Sequence, residues 1–147
     1  MPLFWRGMKM SGGGPEVGRG GRLLGVRIGP GENDDINPNG EGYVHPGQGG
    51  MSVSPSVETL PPHRLPRRLQ KKYPERFPEA SAPNAVYCWS MGEGGFVPGF
   101  VADHLRLRLD PEAPERHGFV EPEGRMKVED YEAALGATRN QWRRWEE

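Results

Sequence analysis

Cysteine is nearly absent from this chain. Cys88 stands alone, which excludes a disulfide framework and a cysteine-based zinc site. An excess of either charge is also missing. A formal net charge of -1 over 147 residues exerts no global pull toward nucleic acid or a membrane surface. No apolar run approaches the length of a membrane span, and Met1 to Met10 lacks the apolar core of a signal peptide. The expectation is a soluble, cytoplasmic protein of a reducing compartment, built as a single domain over 1–147 with a modest core. There is no Gly-x-Ser-x-Gly elbow, so nothing suggests a serine hydrolase. His45, His63, His104 and His117 show no ligand spacing, so no metal site is expected. Internal repeats are absent.

Glycine and proline are abundant instead. With Gly 22 and Pro 16 they make about a quarter of the chain, close to the level at which disorder competes with folding. Four Trp, five Phe and four Tyr, spread from Trp5 to Trp145, argue for a folded chain, because aromatic side chains bury the most area and are depleted in disorder. Together these predict short strands joined by long, irregular, ligand-shaping loops.

Leu3 to Met8 reads as an opening strand, apolar apart from Arg6. Ser11 to Gly21 reads as mobile and glycine-rich, Arg22 to Ile28 as a second strand, and Glu32 to Gly42 as a polar loop. Ala85 to Ser90 reads as a central strand. His104 to Leu109 alternates with period two, placing Leu105, Leu107 and Leu109 on the core side. His117 to Pro122 forms another short strand. Val128, Tyr131, Leu135, Thr138, Trp142 and Trp145 fall at spacings of three and four, which predicts one terminal helix packed on the body of the domain. Glu129 and Asp130 suit its start, and Arg139, Arg143 and Arg144 suit its end.

The segment Gly42 to Pro55 carries the most chemistry. Gly47, Gly49 and Gly50 suit a loop whose backbone approaches a ligand closely, and Tyr43 suits stacking on a flat heterocycle. Met51-Ser52-Val53-Ser54 continues as a short strand with Ser52 and Ser54 on one face, placed to hydrogen-bond a sugar. Arg6, among apolar neighbours, reads as paired with a carboxylate such as Glu121, as facing water, or as holding a bound anion, and its planar fork matches a pyrophosphate. His63 to Lys72 is a basic run; Leu65 and Leu69 share one helical face, and the cations read either as a solvated surface or as contacts to a nucleic acid.

Phe4-Trp5-Arg6, Gly49-Gly50-Met51-Ser52-Val53, Gly95-Phe96-Val97-Pro98, His117 with Pro122 and Met126, and a closing segment rich in Arg and Trp come in that order. In this order the chain resembles the growth-arrest toxins exported by bacterial type VI secretion, a family grouped with ADP-ribosyltransferases. The resemblance implies an α/β (α+β) fold with a split β-core of two small sheets and a C-terminal helix, gripping NAD in the cleft between them. It implies that Arg6, Ser52 and His117 act at the cleft, with Glu121 as the candidate acid and Tyr43, Gly49, Gly50 and Ser54 contacting the dinucleotide. It departs from the wider pattern at Pro122, which does not belong to the usual Gln/Glu-x-Glu motif. An immunity protein that neutralises the toxin in its producing cell is also implied. NAD glycohydrolase action in the same cleft and nucleic-acid binding through residues 63–72 are the alternatives.

Overall fold

The computed structural model describes residues 1–147. It is an α+β arrangement of small antiparallel sheets with little helix. The strands are β1 (Phe4–Ser11), β2 (Gly14–Pro15), β3 (Tyr43–Val44), β4 (Met51–Val53), β5 (Val86–Met91), β6 (Gly99–Ala102), β7 (Leu105–Leu109), β8 (Gly118–Pro122), β9 (Met126–Lys127) and β10 (Arg143–Arg144). The α-helices are α1 (Arg68–Lys72) and α2 (Val128–Ala137). One four-stranded sheet runs β10-β5-β1-β2, a second runs β4-β8-β7-β6, and β3 pairs with β9. No helix is long and apolar enough to cross a membrane.

Strand alternation explains the two cores. Phe4, Arg6 and Met8 share one face of β1, opposite Met91, Trp89 and Tyr87 of β5. Phe4, Met8, Trp89 and Met91 are buried there, with Met51, Val53, Val120, Leu105 and Leu107 from the second sheet. The opposite face carries Trp5 and Cys88 onto a smaller cluster of Val57, Leu60, Leu65, Leu69 and Phe77. Burial pushes the Cys88 thiol up to about 12, so it stays protonated and inert at neutral pH.

The two larger sheets meet where β1 crosses the free edge of β4. Trp5 and Ser54 exchange backbone hydrogen bonds of 2.7 and 2.9 Å. Beside them, Arg6 Nη1 donates to the Ser52 carbonyl at 2.6 Å. The rest of the Arg6 fork donates to the carbonyls of Leu23 (3.1 Å), Gly20 (3.3 Å) and Gly25 (3.2 Å). An edge strand leaves unpaired carbonyls, and here a side chain and a crossing strand take them.

Several expectations are corrected. Arg22 to Ile28 is no strand: its Leu23 and Gly25 carbonyls turn to Arg6 rather than to a ladder, and only isolated bridges at Leu24 and Ile28 remain. A Cβ at Gly25 would collide with the Gly18 carbonyl, so glycine allows the coil to fold on itself. Ser11 to Gly21 contains ordered structure, with Met10 and Ser11 paired to Pro15 and Gly14. The terminal helix stops at Ala137. Thr138 Oγ1 turns back to the Leu135 carbonyl and accepts from Trp142 Nε1, and Arg143 and Arg144 then pair with Ser90 and Trp89 of β5. Arg139, Arg143 and Arg144 therefore lie beyond the helix. Trp142 still reaches the main core, edge-on to Phe4 at 5.5 Å, while Trp145 packs against Tyr73 and Phe77.

Replacing Arg6 with Met removes the donor for four carbonyls drawn from two chain segments, the Gly20–Gly25 coil and β4. Each buried acceptor left unpaired costs about 1–3 kcal/mol. The expected loss is more than about 3 kcal/mol in urea unfolding, with Arg6→Lys recovering little because an ammonium lacks the fork. A stability equal to wild type in Arg6→Met contradicts this role.

Candidate functional site

The loop that follows β4 packs its Arg64 backbone against Gly7, where any Cβ would collide with the Arg64 carbonyl. That close approach brings residues 60–64 beside the β1–β4 junction and leaves a cavity of about 260 Å³. Arg6, Ser52, Ser54 and His117 all line it, together with Arg27 and Arg64. Four residues expected at a cleft are thus brought together. Ser52 lies in β4 and Ser54 one residue past its end, and neither hydroxyl has a protein hydrogen-bond partner, so both are available to a ligand.

Arg6 differs from its expected environment. It is 1% exposed and has no ion pair; backbone carbonyls compensate the guanidinium instead of Glu121 or solvent. Desolvation and then the neighbouring Arg64 push its pKa down to about 9, which still leaves it cationic at neutral pH. Four of its five N–H groups are committed, so its chief work is to hold the cleft's wall.

His117 closes the other side. Its Nδ1 lies 2.8 Å from Asp110 Oδ2, and its ring meets Phe119 edge-on at 4.7 Å. The bond to His117, with a second from the Glu112 amide, holds the Asp110 carboxyl below the usual aspartate range. With Nδ1 engaged, Nε2 is the nitrogen left free for chemistry. Ser54 and His117 also line a second cavity, of about 560 Å³, whose walls carry Glu58, Glu79 and Asp110 with Arg76 and Arg116. The site therefore has a cationic lobe and an acid-bearing lobe that meet at Ser54 and His117.

The remaining expected site residues lie elsewhere. Glu121 is fully buried and accepts from Arg106 Nε at 2.6 Å, Arg108 Nε at 2.7 Å and the Gly47 amide at 2.8 Å. It lines neither lobe. Tyr43 packs under the Arg125 guanidinium, 3.8 Å from its ring centroid. Gly49 and Gly50, at φ of 102° and 144°, let the chain pass close to Asp35 and to Val120 of β8. These glycines serve an approach of protein to protein rather than to a ligand. The basic run also divides. Arg64 turns inward, while Arg68 bonds Glu147 and sits 4.6 Å over Tyr87. Arg67 and Lys71 face water.

Asp110, Arg27 and Arg64 line the two lobes without having been singled out as site residues from the sequence. No spacing links Asp110 to His117 until the loop between β7 and β8 folds back, and Arg64 sits within a run that reads as surface charge. The largest cavity, about 900 Å³, lies between α2 and β6 and is walled by Phe100, Val101, Ala133 and Ala137. Asp103, His104, Arg125 and Asp130 also line it, but none of the residues expected at a cleft does. No group of three or more His, Cys, Asp or Glu side chains converges to hold a metal ion. Comparison with protein-family models and with curated proteins returns no match.

A carboxyl whose folded pKa is depressed adds stability above its unfolded value, about 3.9, and loses it as pH falls through the folded value. Asp110→Asn should therefore lower stability at pH 6 by about 1 kcal/mol or less, as suits a partly exposed pair. The gap should be constant above about pH 5 and shrink steadily as pH falls below about 3.9, read from urea midpoints across that range. A gap that does not change with pH would show that Asp110 acts through something other than its charge.

Proposed function

We propose that this chain is an NAD-dependent ADP-ribosyltransferase-like toxin that arrests growth by transferring ADP-ribose to an intracellular acceptor. The observation that carries the reading is the meeting, at Ser54 and His117, of a lobe ringed by Arg6, Arg27 and Arg64 with a lobe holding Asp110. NAD has matching polarity: an anionic pyrophosphate on one side and a ribose that becomes cationic as nicotinamide departs. The β1–β4 junction between two small sheets supports an ADP-ribosyltransferase-like split core for the same chain.

The chemistry follows from the groups at the junction. The C1′–N bond of the nicotinamide ribose breaks and its electron pair leaves with neutral nicotinamide. Positive charge grows on the ribose ring, and the Asp110 carboxylate, held at the junction by His117, offsets it. Ser52 and Ser54 hydroxyls bind the ribose and carboxamide. His117 Nε2 takes the proton of the acceptor as the new C1′ bond forms, with Asp110 fixing the tautomer that leaves Nε2 unprotonated. Glu121, locked between two arginines, instead braces β7 against β8 and the Gly47 turn. A neutralising immunity protein would act by covering the junction of the two lobes.

Purified full-length chain should release nicotinamide from NAD. His117→Asn should slow that release by about 10²–10⁴-fold, and Ser54→Ala should weaken it with the fold intact by circular dichroism. Arg6→Ala is a poor probe, because it removes the cleft's wall along with any contact to substrate. Free ADP-ribose as the sole product identifies water as the acceptor and makes the chain a glycohydrolase. Absence of nicotinamide release by wild-type protein overturns both enzymatic readings.

A further inference from the structure

Arg64 is 7% exposed and its guanidinium makes no hydrogen bond or ion pair with the protein. Every fully enclosed polar side-chain atom has a partner, so the free N–H groups of Arg64 open on cavities. There are two such cavities: the Ser52–His117 lobe, and an outer pocket of about 350 Å³ lined by Lys9, Arg22, Arg27, His63 and Arg64. A Cβ on Gly21 would sit 3.1 Å from Arg64 Nη2, so a glycine at that point leaves room beside the guanidinium. The amides of Gly20, Gly21 and Arg22 donate no backbone hydrogen bond.

Five cationic or protonatable groups line the outer pocket and no carboxylate does. Asp35, the nearest acid, is already held by the Arg27 amide at 2.7 Å and its guanidinium at 3.2 Å. Desolvation, with repulsion from Arg27 and Arg22 and against the pull of Asp35, presses the Arg64 pKa downward, and desolvation with repulsion from Arg64, Arg22 and Arg27 lowers that of His63. An unpaired guanidinium nine-tenths buried is costly in the unliganded protein. The cost is relieved by an anion with several oxygens.

We infer that the pocket between Arg64, Arg27, Arg22 and Lys9 is a pyrophosphate-binding site, with Arg64 rather than Arg6 as its principal ligand. As a subsite for the diphosphate of a dinucleotide it rests on the NAD reading; as an anion site it stands without it. The planar Arg64 fork offers two oxygens parallel contacts, Lys9 and Arg22 supply charge at the rim, and the Gly20–Arg22 amides are oriented by a loop that Arg6 holds from behind.

Isothermal titration of the full chain with sodium pyrophosphate, in a buffer free of phosphate and sulfate, reads the site directly. Wild type should bind, and Arg64→Met should weaken binding about tenfold to a hundredfold, the loss expected for charge-assisted hydrogen bonds. Arg64→Lys should fall between them. Without anion, Arg64→Met should melt no lower than wild type, because it deletes an uncompensated buried charge. Lys9→Gln, on an exposed strand position that no core residue depends on, should weaken binding in a fully folded protein. Competition with ADP-ribose identifies the source: mutual displacement assigns the site to a nucleotide diphosphate, and simultaneous binding assigns it to a separate pyrophosphate. Pyrophosphate binding without nicotinamide release leaves this inference standing and removes the enzymatic one. No binding by wild type, or equal binding by wild type and Arg64→Met, overturns it.

Discussion

One guanidinium inside the protein organises the rest. Arg6 occupies a core-facing position of β1 between Phe4 and Met8, where an apolar side chain would be ordinary. By donating to Gly20, Leu23, Gly25 and Ser52 it fixes a glycine-rich coil and the free edge of β4 to the same strand. Without it, three carbonyls of the coil and the Ser52 carbonyl would lose their donor. The fork ties its strand to both segments where the Trp5–Ser54 and Lys9–Arg22 backbone hydrogen bonds already bring them together. Burying the cation costs desolvation, and the four carbonyls it satisfies, which an apolar side chain would leave unpaired, offset that cost.

The same junction gives the site its polarity. Gly7, next to Arg6, admits the backbone of Arg64, and Ser54, bridged to Trp5, faces His117. Three consecutive positions of β1, Trp5, Arg6 and Gly7, thus bring together a guanidinium cluster, two hydroxyls and an Asp–His pair. Tyr131 secures the far side from α2, donating to the Val120 carbonyl at 2.5 Å and accepting from the Met51 amide at 3.1 Å. Changes at any of these supports would alter the site without touching a ligand.

Burial was more legible in the sequence than backbone form. The stripe Val128, Tyr131, Leu135, Thr138, Trp142 does face the interior, but Thr138 and Trp142 do so from beyond the helix, in the connection that leads to β10. Periodicity reports which side chains seek the core, and a Thr side chain that takes the Leu135 carbonyl ends the helix without breaking that order. Arg22 to Ile28 fails as a strand for a related reason: a side chain from elsewhere claims its carbonyls, which no local pattern encodes. Ser52, Ser54 and Arg6 were readable as a set because strand alternation and an arginine among apolar residues are local signals. The partnership of Asp110 with His117 and the inward turn of Arg64 arise only from loop closure. Glu121 was placed correctly on its strand, yet the two arginines facing it from β7 decide that it braces rather than lines the cleft.

The central claim is that a dinucleotide sits where β1 crosses β4. Amide chemical-shift mapping on the isotope-labelled full chain, titrated with an NAD analogue whose ribose cannot be cleaved, tests it without requiring turnover. The account predicts perturbations concentrated at Gly7, Gly21, Ser52, Ser54, Arg64 and His117. Perturbations confined to the α2–β6 groove, or none at saturating analogue, would contradict it.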